Sequence, residues 1–260
     1  MAPPEEDRTF WKLNVAYATD IGRAVHEHVR TATPTTRALE PFKNRISGAL
    51  DSLTALDRFA KNDWRADGMT LLRAMYDAHL QALYILADPT KADERAQLFL
   101  DFRWIEQRRM QKIIERNPTR LARKLMQSPK RLEGEAEREA NYQRLRPKFA
   151  TKDGKKDRGD WYPGTLRDLA RAVGLESEYE ILQKDLSGAV HSTPTALLGG
   201  ASFSKSEHLL LLGWKLMFRV LGRIAEHHGV PVGKDHEEIV RDAMSNIYDF
   251  DPGEPPQPPG

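Results

Sequence analysis

Apolar residues recur three and four positions apart along almost the whole chain, and no long stretch alternates apolar and polar side chains with the β-branched enrichment of a strand. That period suits helices packed on helices. The sequence therefore predicts an all-α fold, a multi-helix bundle of about eight to nine helices with no sheet.

Proline and glycine punctuate the pattern. A first helix is expected from Phe10 to Arg30, with Thr9 as N-cap and Phe10, Leu13, Tyr17, Ile21, Val25 and Val29 as its apolar stripe. Pro41 opens a second, which carries Phe42, Ile46, Ala49, Leu53 and Leu56. A third follows Asp67, buries Met69, Leu72, Met75, Tyr76, Leu80, Leu83 and Leu86, and stops at Asp88-Pro89. A fourth spans Lys91 to Arg116, with Leu98, Phe102, Ile105, Met110 and Ile113 on its apolar side. The stretch on to Pro147 is helical but polar, and residues 151–160, TKDGKKDRGD, read as a mobile charged loop. Further helices are expected from Thr165 to Gly174, from Glu176 to His191, from Ser206 to His228 with Gly229 just past the end, and from Lys234 to Ile247. The organisation that follows is a flexible N-terminus at 1–8, a single helical domain at 9–248 with a basic helical insertion around 117–160, and a disordered proline-rich tail at 249–260.

Several function classes drop out. The chain has no cysteine, which excludes a disulfide scaffold, thiol catalysis and a thiolate metal site. MAPPEEDRTF lacks the basic start and apolar run of a signal peptide. The most apolar stretch, Leu209 to Leu221, contains Lys215 and Arg219 and is too short to span a bilayer. A cytoplasmic protein without a membrane partner is expected. That stretch offers more apolar surface than a small core must bury, so a homodimer is expected too. No glycine-rich phosphate loop, dinucleotide fingerprint or His-Glu-x-x-His pair occurs, and His26 and His28 fall on different sides of a helix. Neither a cofactor nor a metal is expected.

The net charge of +2 is unevenly spread. Between Arg103 and Arg158 stand 18 Lys/Arg against 8 Asp/Glu, a local net of +10, so the remainder carries −8. Such asymmetry points to RNA or another polyanion as partner, with Arg108, Arg109 and Lys112 as candidate contacts, or else to a solvated arginine-rich face.

Three arrangements could carry chemistry. Arginine and histidine lie five or six apart at Arg23/His28, Arg73/His79 and Arg223/His228. This is the spacing of HEPN ribonucleases, in which the arginine steadies phosphate charge and the histidine handles protons without metal. About two such matches are expected by chance, so the spacing alone selects none. Arg73 and Asp77 share a face beside Tyr76 and Leu80, which places an arginine near a buried stripe, where it needs a partner. Ser187 and His191 stand at i and i+4, a base beside a hydroxyl, or a helix-end histidine bonded to a serine.

Two segments, LLRAMYDAHLQALYILADP at 71–89 and DWYPGTLRDLARAVGLESEYEILQKDLSGAVHSTP at 160–194, resemble a family of uncharacterised bacterial all-helical proteins, a domain of unknown function. The family pattern is Arg-x-x-x-Glu on an early core helix, then Trp, then Tyr and Ser-x-x-Val-His. Arg73, Trp161, Tyr179, Ser187, Val190 and His191 match it, and Asp77 stands where the family usually has glutamate. The resemblance implies an all-α bundle and, by analogy, a HEPN-like relation of the kind found in toxin and phage-defence systems.

The expectation is a nucleic-acid-associated helical protein, in its sharpest form an RNA-cleaving toxin or defence component. Arg73 would hold a phosphate, His191 would transfer a proton, Asp77 would orient one of them, and Ser187 would complete the site, with Tyr76, His79, Trp161 and Tyr179 as binding residues. The alternative is a non-catalytic interaction or regulatory module in which these residues form a structural polar network.

Overall fold

The computed structural model describes residues 23–24, 26–33, 36–42, 52–56, 58, 65–117, 119–120, 124, 134–190 and 206–231. Both termini, most of the first two expected helices and the expected helix at 234–247 lie outside these residues. The protein is all-α. Among the described residues no strand forms, and the one β-type pairing is an isolated bridge between Ala150 and Asp157.

A 3₁₀ turn, Arg37–Phe42, precedes six α-helices: α1 Arg65–Leu86, α2 Ala92–Arg116, α3 Glu135–Phe149, α4 Leu166–Ala172, α5 Glu176–Val190 and α6 Ser206–His227. Helical turns also cover 26–32 and 52–56. The spine is α1, whose long apolar stripe gives it a buried side for every neighbour. It packs against α6, α5 and α4, while α2 packs against α3 and the 3₁₀ turn. Met69, Leu72, Tyr76, Leu80, Leu83 and Leu86 are buried, as their period predicts, Ile85 is buried beside them, and Met75 is only partly covered. Each such aliphatic side chain contributes about 1.5–3 kcal/mol on burial.

Much of the described apolar face of α6 is buried within the chain. Leu210, Trp214, Leu216, Met217, Leu221 and Ile224 are all buried. Of the stretch on which the homodimer expectation rests, Leu210, Trp214, Leu216, Met217 and Leu221 are thus covered intramolecularly, while Leu212, Phe218 and Val220 are partly buried. A Cβ at Gly213 would sit 2.7 Å from Leu56, so the absence of a side chain there lets residues 52–56 lie close against α6.

Helix ends follow local chemistry. Thr165 and Asp168 form a reciprocal capping box at the start of α4. Gly229 takes φ +63° past α6, where its own N–H reaches Glu226 O and the Val230 N–H reaches Ala225 O, the paired closure of a Schellman end.

Two expectations are corrected. Met110 and Ile113 are 57% and 59% exposed. The core against α2 ends at Ile105, and beyond it the α2–α3 seam turns polar, with Arg108 beside Glu139 and Gln111 donating to Glu135. The apolar period of α2 thus outlasts its apolar partner. The 151–160 segment is also not a loose loop. Backbone bonds from Thr151 N–H to Lys156 O (2.7 Å) and from Arg158 N–H to Phe149 O (2.6 Å) close it into a turn. Tyr142 and Arg146 both donate to the Asp157 carboxylate and clamp the turn to α3.

Candidate functional site

The strongest polar cluster lies where α1, α5 and α6 meet. Arg219 of α6 grips Glu178 of α5 with two hydrogen bonds, Nη1 to Oε1 at 3.0 Å and Nη2 to Oε2 at 3.1 Å. Lys215, one turn earlier on α6, stands 3.7 Å from the same carboxylate. Burial alone would raise the Glu178 carboxyl, but the Arg219 hydrogen bonds and charge, with Lys215, outweigh it and hold the group below its ordinary range.

Arg219 Nη1 is also 3.2 Å from His79 Nε2. A guanidinium can only donate, so Nε2 must accept and the imidazole must be neutral with its proton on Nδ1. Burial, followed by the Arg219 charge, lowers the His79 pKa to about 3. Tyr76 and Tyr179 continue the cluster. The Tyr76 ring stacks on His79 at 6.0 Å and on Tyr179 at 6.4 Å. Its buried hydroxyl makes no hydrogen bond of normal geometry, and burial, with the Glu178 charge, pushes the phenol well above its usual range. The cluster holds a neutral acceptor, a charge-saturated arginine and a protonated phenol. It joins three helices, and neither His79 nor Tyr76 exchanges a proton near neutral pH.

Arg73 and Asp77 form the expected intrahelical pair, with Nε 3.1 Å from Oδ2 and Nη2 3.1 Å from Oδ1. Burial pushes the Asp77 carboxyl up, Arg73 pulls it back, and the Asp160 charge adds to the rise. Arg73 therefore turns to Asp77, while His79 turns to Arg219, and these contacts link the two members of the Arg73/His79 spacing to different partners. In the same way Arg223 pairs with Glu226 at 2.7 Å. Ser187 lies on α5, but its side chain is outside the described residues, as is His191. The four-residue pocket expected from Arg73, Asp77, Ser187 and His191 is thus described only in its α1 half.

Trp161 is buried between Tyr84 and Phe99, at ring distances of 5.8 and 5.4 Å. It anchors the segment that carries Asp160 toward α1. The three basic candidates on α2 have partners within the chain. Arg108 reaches Glu139 at 3.3 Å and Glu115 at 3.5 Å, and Lys112 lies over the Tyr142 ring. Arg109 donates to the carbonyls of Arg158 and Gly159 and covers the Phe102 ring. These cations join α2 to α3 and to the turn.

Glu178, Lys215 and Arg219 were not among the sequence candidates. A signal for the two cations exists. A lysine and an arginine one turn apart inside the most apolar helix demand an acidic partner if they face inward. Nothing in spacing identifies that partner as Glu178. Among the described residues no group of three histidine, aspartate or glutamate side chains could hold a metal ion, and no helix is long and apolar enough to cross a membrane.

Residues 46–207, more than half of the chain, match the model of a family described as a family of unknown function (DUF5677). The match agrees with the resemblance to an uncharacterised family drawn from 71–89 and 160–194, and it carries no statement about HEPN-like proteins. No curated protein and no solved structure matches the chain.

Proposed function

We propose that this chain, which belongs to this family of unknown function, is a nucleic-acid-associated helical protein that holds a polyanion on the basic section between its two motif segments. The observation that carries this reading is where the positive charge is left uncompensated. α2 and α3 run antiparallel, with Gln111 beside Glu135, Arg108 beside Glu139 and Asp101 beside Lys148. At the Glu135 end of this pair Arg108 meets Glu139 and Glu115, and Arg116, Arg120 and Lys124 are exposed. At the other end Asp101 is taken by Lys148 and Asp157 by Arg146 and Tyr142. Lys152, Lys155 and Lys156 stay exposed there, with no acidic partner among the described residues. Such a surface attracts phosphates through counterion release. A cysteine-free chain suits the cytoplasm, where nucleic acid is at hand.

The enzymatic form of this reading keeps Arg73, Asp77, Ser187 and His191 as the reacting group, with Arg73 on a phosphate and His191 moving the proton. Its test is direct. Purified protein should cleave RNA without added metal, and Arg73→Ala or His191→Ala should abolish cleavage while the far-UV spectrum is kept. Failure of the wild type to cut any RNA offered removes the enzymatic form and leaves association to be judged by salt-dependent retention on immobilised nucleic acid.

A second reading is favoured by the Arg219–Glu178–His79 contacts. In it the polar residues of the seam lock a non-catalytic interaction module into one helix register. Substitutions in the seam then lower melting temperature, and a chain that ignores nucleic acid at low salt supports this reading over the first.

A further inference from the structure

The turn at 151–156 carries more detail than a patch of charge. One acid, Asp153, stands inside it and another, Asp157, follows it, and both help to close it, so the turn carries three lysines against the single Asp153 charge. Asp153 accepts from the Thr151 hydroxyl at 2.6 Å and from the Lys155 N–H at 3.1 Å, and Asp157 is held by Tyr142 and Arg146. Gly154, at φ +66°, makes the reversal. The base is clamped again by Arg158, which donates to Lys148 O at 2.9 Å, and by Arg109, which donates to the Arg158 and Gly159 carbonyls. The outcome is a pre-ordered tip with Lys152, Lys155 and Lys156 facing solvent. Order present before binding need not be gained on binding, so such a tip loses less affinity to entropy than a loose basic loop.

The rings around the tip decide what kind of polyanion it suits. Proteins that hold single strands stack bases on exposed aromatic faces. Here Phe102, Tyr142, Phe149 and Trp161 are buried. Cations of the chain lie over three of these rings: Arg109 over Phe102, Lys112 over Tyr142 and Arg158 over Phe149. Trp104 is half-buried and has Arg103 over its ring. Phe99 and Tyr162, partly buried, pack on Trp161 at 5.4 and 6.3 Å, and the turn itself offers ammonium groups and no ring of its own.

We propose that the 151–156 turn grips the phosphate backbone of double-stranded nucleic acid without reading its sequence. This rests on the nucleic-acid reading above and adds the strandedness and the residues. Phosphates at fixed positions along a stiff duplex match a rigid cationic tip, whereas a single strand without base stacking gains only the charge contacts.

The experiment titrates the full chain, by fluorescence anisotropy, with a DNA duplex, an RNA duplex and the corresponding single strands of equal length, across a range of salt. Both duplexes are expected to bind more tightly than either single strand and to tolerate a scrambled sequence. Tight binding of one duplex alone identifies which helix form the tip fits. The triple variant Lys152→Gln, Lys155→Gln, Lys156→Gln removes three surface charges and none of the hydrogen bonds that close the turn. Removing one lysine–phosphate pair flattens the logarithmic salt slope by about 0.9, so the wild-type advantage over the variant should shrink about 40-fold between about 50 and 200 mM salt. Single strands that bind as well as duplexes, or a triple variant with an unchanged salt slope, overturn the inference while leaving nucleic-acid association intact. Absence of binding to every probe overturns both.

Discussion

His79→Gln isolates the electrostatic logic of the helix seam. Glutamine can keep an acceptor near the position of Nε2, so the Arg219 donor retains a partner, but it removes the titrating group. In the folded protein the His79 pKa is lowered to about 3, whereas an unfolded chain carries histidine near its ordinary value of 6.5. The folded state therefore binds fewer protons than the unfolded state between these values. Stability from this residue is complete above about pH 6.5 and is lost as pH falls toward 3. Each pH unit inside the window is worth about 1.4 kcal/mol, so acidification from pH 7 to pH 5 should cost the wild type about 2 kcal/mol more than it costs the variant. His26 and His228 are also lowered by burial, but they are present in both proteins and cancel in the difference. Urea unfolding followed by far-UV circular dichroism at the two pH values measures it. Parallel pH dependence in wild type and His79→Gln would mean that burial and the Arg219 charge do not hold the imidazole neutral.

The Glu178–Arg219 pair should be coupled. Glu178→Gln leaves a half-buried guanidinium without its carboxylate and should cost about 2–3 kcal/mol in urea unfolding, with Glu178→Gln/Arg219→Met recovering part of the loss; additive single and double effects would argue against the bidentate contact. On α2, Ile105→Ala should cost about 2–5 kcal/mol by opening the core, whereas Ile113→Ala should stay within about 0.5 kcal/mol; similar losses at both positions would mean that the apolar face of α2 is covered over its whole length.

The parts of the fold that were legible in sequence are those set by local chemistry. The α1 stripe, the Thr165 start of α4 and the glycines that close α4 and α6 all depend on residues within two turns of one another. The errors arose where a distant partner decides. Met110 and Ile113 continue the period of α2, but α3 meets that end of α2 with polar side chains. The 151–160 segment has the composition of a mobile loop, yet Tyr142, Arg146 and Arg109 reach it from two helices. The same limit governed the site. Arg73–Asp77 is a spacing within one helix and was readable. The bond between His79 and Arg219 joins residues 140 apart, and neither periodicity nor any motif announces it. Tyr76, His79 and Tyr179 do lie against one another, but the charges that organise them come from α5 and α6. Arg108, Arg109 and Lys112 were selected for their charge, and the fold uses each of them to join its own elements.

The excess positive charge at the 151–156 end of α3 is proposed to bind nucleic acid. The most direct measurement is the affinity of the wild-type full chain for duplex nucleic acid as a function of salt concentration. A straight fall of log affinity against log salt is expected, with a slope of about −2.7 or steeper if the three turn lysines each contact a phosphate. Undetectable binding at low salt, or an affinity indifferent to salt, would contradict it.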